Sequence, residues 1–171
     1  MSASEPTLQL WRTQARYNSW MNDNLFESCA SLTDEQRKRN LGAFFASIHG
    51  TLNHLLLADR VWLGRIRGEP FAVTSLDQEL YGDFDTLRHE RQLTDASLTR
   101  LVAEFGCDDL ARVVSYRRIS GGEAKALPLP VLMTHLFNHQ IHHRGQLTTL
   151  LSQLGVDYGA TDLIAMPGEL L

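Results

Sequence analysis

The sequence predicts an all-α protein, a four-helix bundle with a small β-hairpin before its last helix. Three observations carry this reading. Four stretches of about 20 to 25 residues repeat apolar side chains at helical spacing. Gly, Pro and Ser/Thr signals separate them. Between the third and fourth stretches the pattern changes to β-branched and aromatic residues around a Gly-Gly turn. With 171 residues, the chain is expected to form a single domain, 1–171, around one sizeable core.

The first helix is expected from about Thr7 to Ala30, with Leu8, Trp11, Ala15, Trp20 and Leu25 near helical spacing. Ser31-Leu32-Thr33-Asp34-Glu35 follows, a Ser or Thr cap with acidic residues behind it. The second helix is expected from Ala43 to Arg67, stopped by Gly68-Glu69-Pro70. The third, the most polar, is placed from Asp83 to Phe105 and ends at Gly106. Ala111–Ile119 and Ala124–Leu127, joined by Ser120-Gly121-Gly122-Glu123, form the hairpin. Pro128 and Pro130 then launch the fourth helix, which stops at Gly155. Long connections leave the order of the helices around the bundle open.

Composition narrows the function classes. Hydrophobic residues make up 43% and charged residues 21%, an ordinary globular balance that argues against disorder. A net charge of -4 argues against nucleic acid as a partner, because such binders carry a basic excess or patch. Arg37-Lys38-Arg39, the densest basic run, reads as a solvated loop or helix end. The opening MSASEPTLQLW lacks the basic and apolar regions of a secretion signal. No apolar run reaches the roughly 18 residues of a membrane span. The expectation is a cytoplasmic protein without a membrane partner. Cys29 and Cys107 read as two free thiols, small and buried. Trp11 and Trp20, if exposed, would need cover, which points to a homodimer through the first or third helix.

The seven histidines are the chemically distinctive residues. On the last helix, at about 100° per residue, His139 and His143 fall on or beside the apolar stripe and one turn apart, the spacing at which two imidazoles converge on one ion. A polar rim or a hydrogen-bonded core pair would use the same spacing. His135 and His142 fall on the shoulder of that face, as supporting or surface residues. A third ligand must come from another helix. His54 is the candidate, in a stripe of small neighbours (Ser47, Gly50, Thr51, Ala58) that leaves either open volume for a pocket or a close packing seam. Phe44, Ile48, Leu52, Leu55, Trp62 and Ile66 define the core face of the same helix, whereas His49 and, on the third helix, His89 project toward solvent. Asp59 falls mid-way across that apolar face, where a lone carboxylate is costly. It reads first as an ion-pair partner of Arg144, Arg12 or Arg16, and second as an acceptor that fixes a ligand imidazole.

Several stretches resemble the DinB-like (DinB/YfiT) metalloenzyme superfamily. They are His54-Leu-Leu-Leu-Ala-Asp59-Arg60-Val61-Trp62, the turn-bearing GGEAKALPL, and above all Asn138-His139-Gln140-Ile141-His142-His143-Arg144-Gly145-Gln146. Tyr17-Asn18-Ser19-Trp20-Met21-Asn22 resembles that family's first helix more weakly. The resemblance spans nearly the whole chain. It implies a divalent metal, zinc or nickel, held by His54, His139 and His143, with Asn138, His142, Arg144, Gly145 and Gln146 also matching. Some relatives are thiol S-transferases that use bacillithiol or mycothiol; others are isomerases.

Three imidazoles leave coordination positions open, as in catalytic zinc sites. The expected function is therefore a metal-dependent enzyme, a thiol S-transferase or a hydrolase. Its partners would be a small-molecule substrate and, for the transferase, a low-molecular-weight thiol. His142, and after it His135, are the candidate proton-transfer residues; Asp59, Asn138, Arg144 and His135 are the candidate supports of the ligands. The rival reading is a non-catalytic metal-binding bundle serving as a stress-related interaction protein.

Overall fold

A computed structural model describes residues 5–170. Its elements are α1 (Glu5–Ala30), α2 (Asp34–Lys38), α3 (Ile48–Arg67), α4 (Phe84–Glu104), β1 (Val113–Tyr116), β2 (Lys125–Pro128) and α5 (Leu129–Gln153), with short 3-10 turns at Cys107–Ala111, Leu163–Ala165 and Gly168–Leu170. The four long helices and the hairpin before the last of them are the expected architecture. The one-turn α2 is additional: Thr33 caps it through a reciprocal pair with Gln36, which satisfies two helix-end donors locally.

Sequence signals set the other boundaries as well. Asp83 accepts from the Thr86 amide at the start of α4, and Gly68 ends α3 at φ 80°, a left-handed position that suits glycine. The hairpin pairs antiparallel from Val113↔Pro128 to Tyr116↔Lys125, shorter than its β-branched composition suggested. α3 starts later than the periodicity implied. Ala46 adopts φ 62° and Ser47 caps the helix by accepting from Gly50 N at 3.0 Å, so Phe44 lies outside the helix and is 85% exposed. A left-handed residue cannot continue an α-helix.

The dominant helix contacts run α1–α4, α4–α3, α3–α5 and α5–α1, which makes α1/α3 and α4/α5 the diagonals. Two apolar clusters give the directions. One gathers Leu8 and Trp11 from the start of α1, Leu63 and Ile66 from the end of α3, Leu101 and Val102 from the end of α4, and Leu132 and Met133 from the start of α5. The other joins the opposite ends through Leu25, Leu52, Leu87 and Leu150. Hence α1 and α5 run one way and α3 and α4 the other. Two consecutive parallel helices require a connection that travels the length of the bundle, and residues 68–83 make that journey over α3.

The crossover explains several departures from the helical-wheel reading. His49, expected in solvent, is buried, with Nε2 2.9 Å from the Tyr81 carbonyl oxygen. Asn53 accepts from the Leu80 and Tyr81 amides at 2.9 and 3.0 Å and donates back to the Tyr81 carbonyl. His89 is exposed, as expected. Trp11 is buried edge-on against Phe105 and Trp20 is half-buried, so Trp11 needs no dimer to cover it. Cys29 is fully buried, with its thiol pushed up to about 12 chiefly by burial, whereas Cys107 is exposed and not the small core residue anticipated. Among the described residues, no helix is long and apolar enough to cross a membrane.

Between the two apolar clusters lies a buried polar layer. Arg91 of α4 reaches Asp59 Oδ2 and Asp95 Oδ1, both at 2.8 Å. Asn18 and Asn22 of α1 donate to Asp95 at 3.0–3.1 Å, and Gln140 of α5 donates to Asp59 Oδ1. Asp59 is thus in an ion pair, but its partner is Arg91 and not Arg144, Arg12 or Arg16. Arg144 donates to Asn18 Oδ1 at 2.5 Å. Burial pushes the Asp59 carboxyl up to about 6 against the pull of Arg91, and lowers Arg144 to about 10.

Candidate metal centre

Three side chains from two helices meet where α3 packs on α5. His54 Nε2 lies 3.3 Å from His139 Nε2, and His143 Nε2 lies 3.1 Å from the same atom. Taken together, one ligand nitrogen from each falls within 4.8 Å of the others. The i, i+4 spacing brings the α5 pair together, and helix packing brings in His54. His54 and His143 are buried and His139 half-buried.

The protons on the three rings decide what this geometry accommodates. His54 Nδ1 sits 2.8 Å from the Leu76 carbonyl oxygen, and His143 Nδ1 sits 2.8 Å from Gln146 Oε1. Each of those oxygens only accepts, so both Nδ1 atoms carry the proton and both Nε2 atoms present lone pairs. A neutral His139 can offer its Nε2 proton to one of them at most. The imidazoles also resist a second proton: burial lowers His54 to about 4 and His139 to about 3, with the neighbouring histidines adding to it, and lowers His143 as well. Converging lone pairs therefore call for a cation. At Zn–N distances of about 2.0–2.1 Å, tetrahedral ligands sit about 3.3 Å apart, close to the two contacts that His139 makes, while the His54–His143 pair lies within 4.8 Å. The donor set fits a divalent metal.

The supports around the three rings differ from those the sequence picked out. The Leu76 carbonyl, carried by the 68–83 crossover, and the Gln146 amide take the place expected of Asp59, Asn138 and Arg144; outer carbonyls of this kind fix the tautomer of a ligand histidine. Asn138 is exposed, and Asp59 and Arg144 belong to the interior polar layer. Gln146 lay within the quoted motif, at i+3 from His143, and that spacing was the available signal. No local pattern marks Leu76, because a backbone carbonyl has no sequence signature. Arg91, Asp95, Asn22 and Gln140 were likewise not singled out.

His142 is exposed, its ring 4.8 Å from that of His143, and its Nε2 lies 3.2 Å from Gln146 Nε2. It borders a cavity of about 610 Å³ with the three histidines, Phe44, Phe45 and Leu76. His135 borders a second cavity, of about 580 Å³, which also reaches His54 and His139. Its ring is 5.8 Å from that of His139 and packs edge-on against Trp62.

Phe45 stacks on His54 with centroids 3.8 Å apart and planes within 17°. Gly50 permits that approach: a Cβ there would sit 2.2 Å from the Phe45 carbonyl oxygen. Gly50→Ala is expected to cost about 1–3 kcal/mol, as overpacking does, and to weaken metal binding by displacing Phe45 from His54. Chemical denaturation and a metal titration of the variant check both effects.

Comparison with known proteins agrees with the fold. Protein DinB of Bacillus subtilis (strain 168) is 25% identical over 151 residues, covering 85% of this chain and 87% of that protein. The crystal structure of a DinB-like protein from Bacillus cereus ATCC 10987 superposes with a TM-score of 0.65 at 24% identity, covering 91% of this chain and 95% of that one, and shares the fold. The DinB family model matches residues 1–168. With helices, hairpin and histidine cluster in place and nearly every residue matched, the chain belongs to the DinB family.

Proposed function

We propose that this protein is a cytoplasmic metal-dependent enzyme whose His54, His139 and His143 hold one divalent ion, zinc or nickel. In its reaction a low-molecular-weight thiol or a water attacks a small electrophilic substrate. The observation that carries this reading is the convergence of three Nε2 atoms beside open cavities, since three protein ligands with free positions characterise catalytic sites. A divalent ion held there supplies a nucleophile near neutral pH by lowering the pKa of a coordinated thiol or water.

The chain's own groups do the rest. Leu76 and Gln146 orient two of the rings. Phe45 covers one face of His54 and excludes water from it. His142, at the rim of the larger cavity, is the proton-accepting candidate, its Nε2 taking a proton in exchange for the hydrogen bond it accepts from Gln146. In the transfer reaction the thiol gives up its proton to His142, its sulfur bonds to the electrophilic carbon, and the leaving group departs from that carbon with the electron pair of the broken bond.

The test is to load the protein with zinc or nickel and offer low-molecular-weight thiols with a chromogenic haloarene, and chromogenic esters with water. Metal-dependent turnover of either pair is expected, and Gln146→Ala should weaken metal affinity by about 10–100-fold. A fully loaded protein that turns over neither would leave the non-catalytic metal-binding bundle as the better reading.

A further inference from the structure

The cavity beside His135 has a chemical polarity that the metal-centre reading leaves unused. His54 and His139 line it, and so does Arg65. Arg65 is eleven residues beyond His54 on α3, about 16 Å along the helix, so the two groups mark opposite ends. Ala58, Val61, Trp62 and Leu76 give it an apolar middle. At the other end stand Arg65 and Arg118, beside Tyr116 and Ile119 of the hairpin region. Among the described residues, no Asp or Glu lines this cavity, although the whole chain carries a net charge of -4.

Arg65 is held in place with its hydrogen-bonding edge largely unused. Its guanidinium carbon lies 4.5 Å from the Trp62 ring centroid and 4.7 Å from that of Tyr116, so the group packs against both rings, which meet each other edge to face with centroids 5.2 Å apart. One Nη donates to the Arg117 carbonyl at 2.9 Å, a single bond from a group with five N–H donors. Among the described residues, no carboxylate forms an ion pair with Arg65 or Arg118. Burial draws the Arg65 pKa below its ordinary value, with Tyr116 acting the other way, as expected of a cation that no acidic side chain compensates. A planar, pre-oriented guanidinium in a half-apolar cavity suits a planar carboxylate, which it can grip with two parallel bonds.

We propose that Arg65, assisted by Arg118, is the carboxylate-binding end of this cavity, so that the enzyme's substrate is a small molecule with an apolar body and a carboxylate remote from its reacting atom. Only the location of the reacting end rests on the metal-centre reading. The arginine subsite stands on its own geometry and is testable without the metal.

Calorimetric titrations with 4-phenylbutyrate and its uncharged amide, 4-phenylbutyramide, provide the test, on metal-loaded protein and on His139→Ala. The carboxylate should bind at least tenfold more tightly than the amide. That preference should survive in His139→Ala and disappear in Arg65→Met, while the amide binds Arg65→Met as it binds the wild type. Arg65→Lys, which keeps the charge but not the fork, should lose at least threefold in carboxylate affinity; if Arg65→Met does not fold, this variant decides. Equal binding of both probes to wild type would overturn the proposal. So would a carboxylate preference lost in His139→Ala but unchanged in the Arg65 variants, because the carboxylate would then sit on the metal. A metal content of zero in wild-type protein would refute the metal centre and leave the Arg65 comparison readable.

Discussion

Replacing His139 with alanine is expected to abolish metal binding, taking the protein from about one divalent ion per chain, the stoichiometry of a single three-histidine site, to essentially none. His139 Nε2 is the atom that both His54 Nε2 and His143 Nε2 approach, at 3.3 and 3.1 Å, so its removal leaves two donors without a common vertex. The loss should exceed the roughly 10–100-fold that follows removal of an outer hydrogen-bond partner. His54→Ala should behave alike, and His142→Ala should keep its metal. Elemental analysis of untagged protein checks all three, and a full complement of metal in His139→Ala would sink the assignment. A pH series adds an independent check. Protons compete with metal only when they reach the ligands, and burial holds His54 at about 4 and His139 at about 3, against an ordinary value of about 6.5. Metal should therefore stay bound from pH 8 to about pH 5 and leave below that. The same shifts have a stability consequence in metal-free protein. Between about pH 6.5 and pH 4 to 3 the unfolded chain binds protons that the folded chain does not, so this contribution is complete above about pH 6.5 and is lost as pH falls through that window.

Arg91→Met should produce the largest loss of stability. Arg91 is 1% exposed and is the cation shared by two buried carboxylates, Asp59 and Asp95. Removing one partner from a buried ion pair strands the other, at a cost of about 3–5 kcal/mol. For a chain of this size that corresponds to a fall in Tm of roughly 10 °C. Adding Asp59→Asn to Arg91→Met should restore part of the loss, because it removes one of the stranded charges. Metal content should change little, because Asp59 and Gln140 bond to Arg91, to the Leu55 carbonyl and to each other, and not to the three histidines. Thermal unfolding of the single and double variants provides the check. A single variant that melts within about 2 °C of wild type would show that the two carboxylates are accommodated without Arg91.

The two sites differ in how far the sequence announced them. His139 and His143 are legible because four residues is one turn of a helix, and ligands on one helix leave a local signature. His54 was legible as a histidine among small residues, sharpened by family resemblance, but the convergence of its nitrogen with the other two depends on how α3 seats on α5. The Asp59 ion pair could be expected from burial cost alone. Its partner could not, because Arg91 looks like one more polar residue in the most polar helix until α1, α3 and α5 close around it.

What the sequence determined by itself is whatever repeats at short range: four helices from their periodicity, ends from Gly68, Asp83 and Pro130, the hairpin from its Gly-Gly turn, and the histidine pair from its spacing. Only the tertiary structure decided that α3 and α4 run parallel. That single fact sends residues 68–83 back across α3, buries His49, places the Leu76 carbonyl on His54 and walls the cavity that ends at Arg65. The physical reason is that helix direction and crossover path are set by which apolar clusters can close together, a property of contacts distant in sequence that no window along the chain contains.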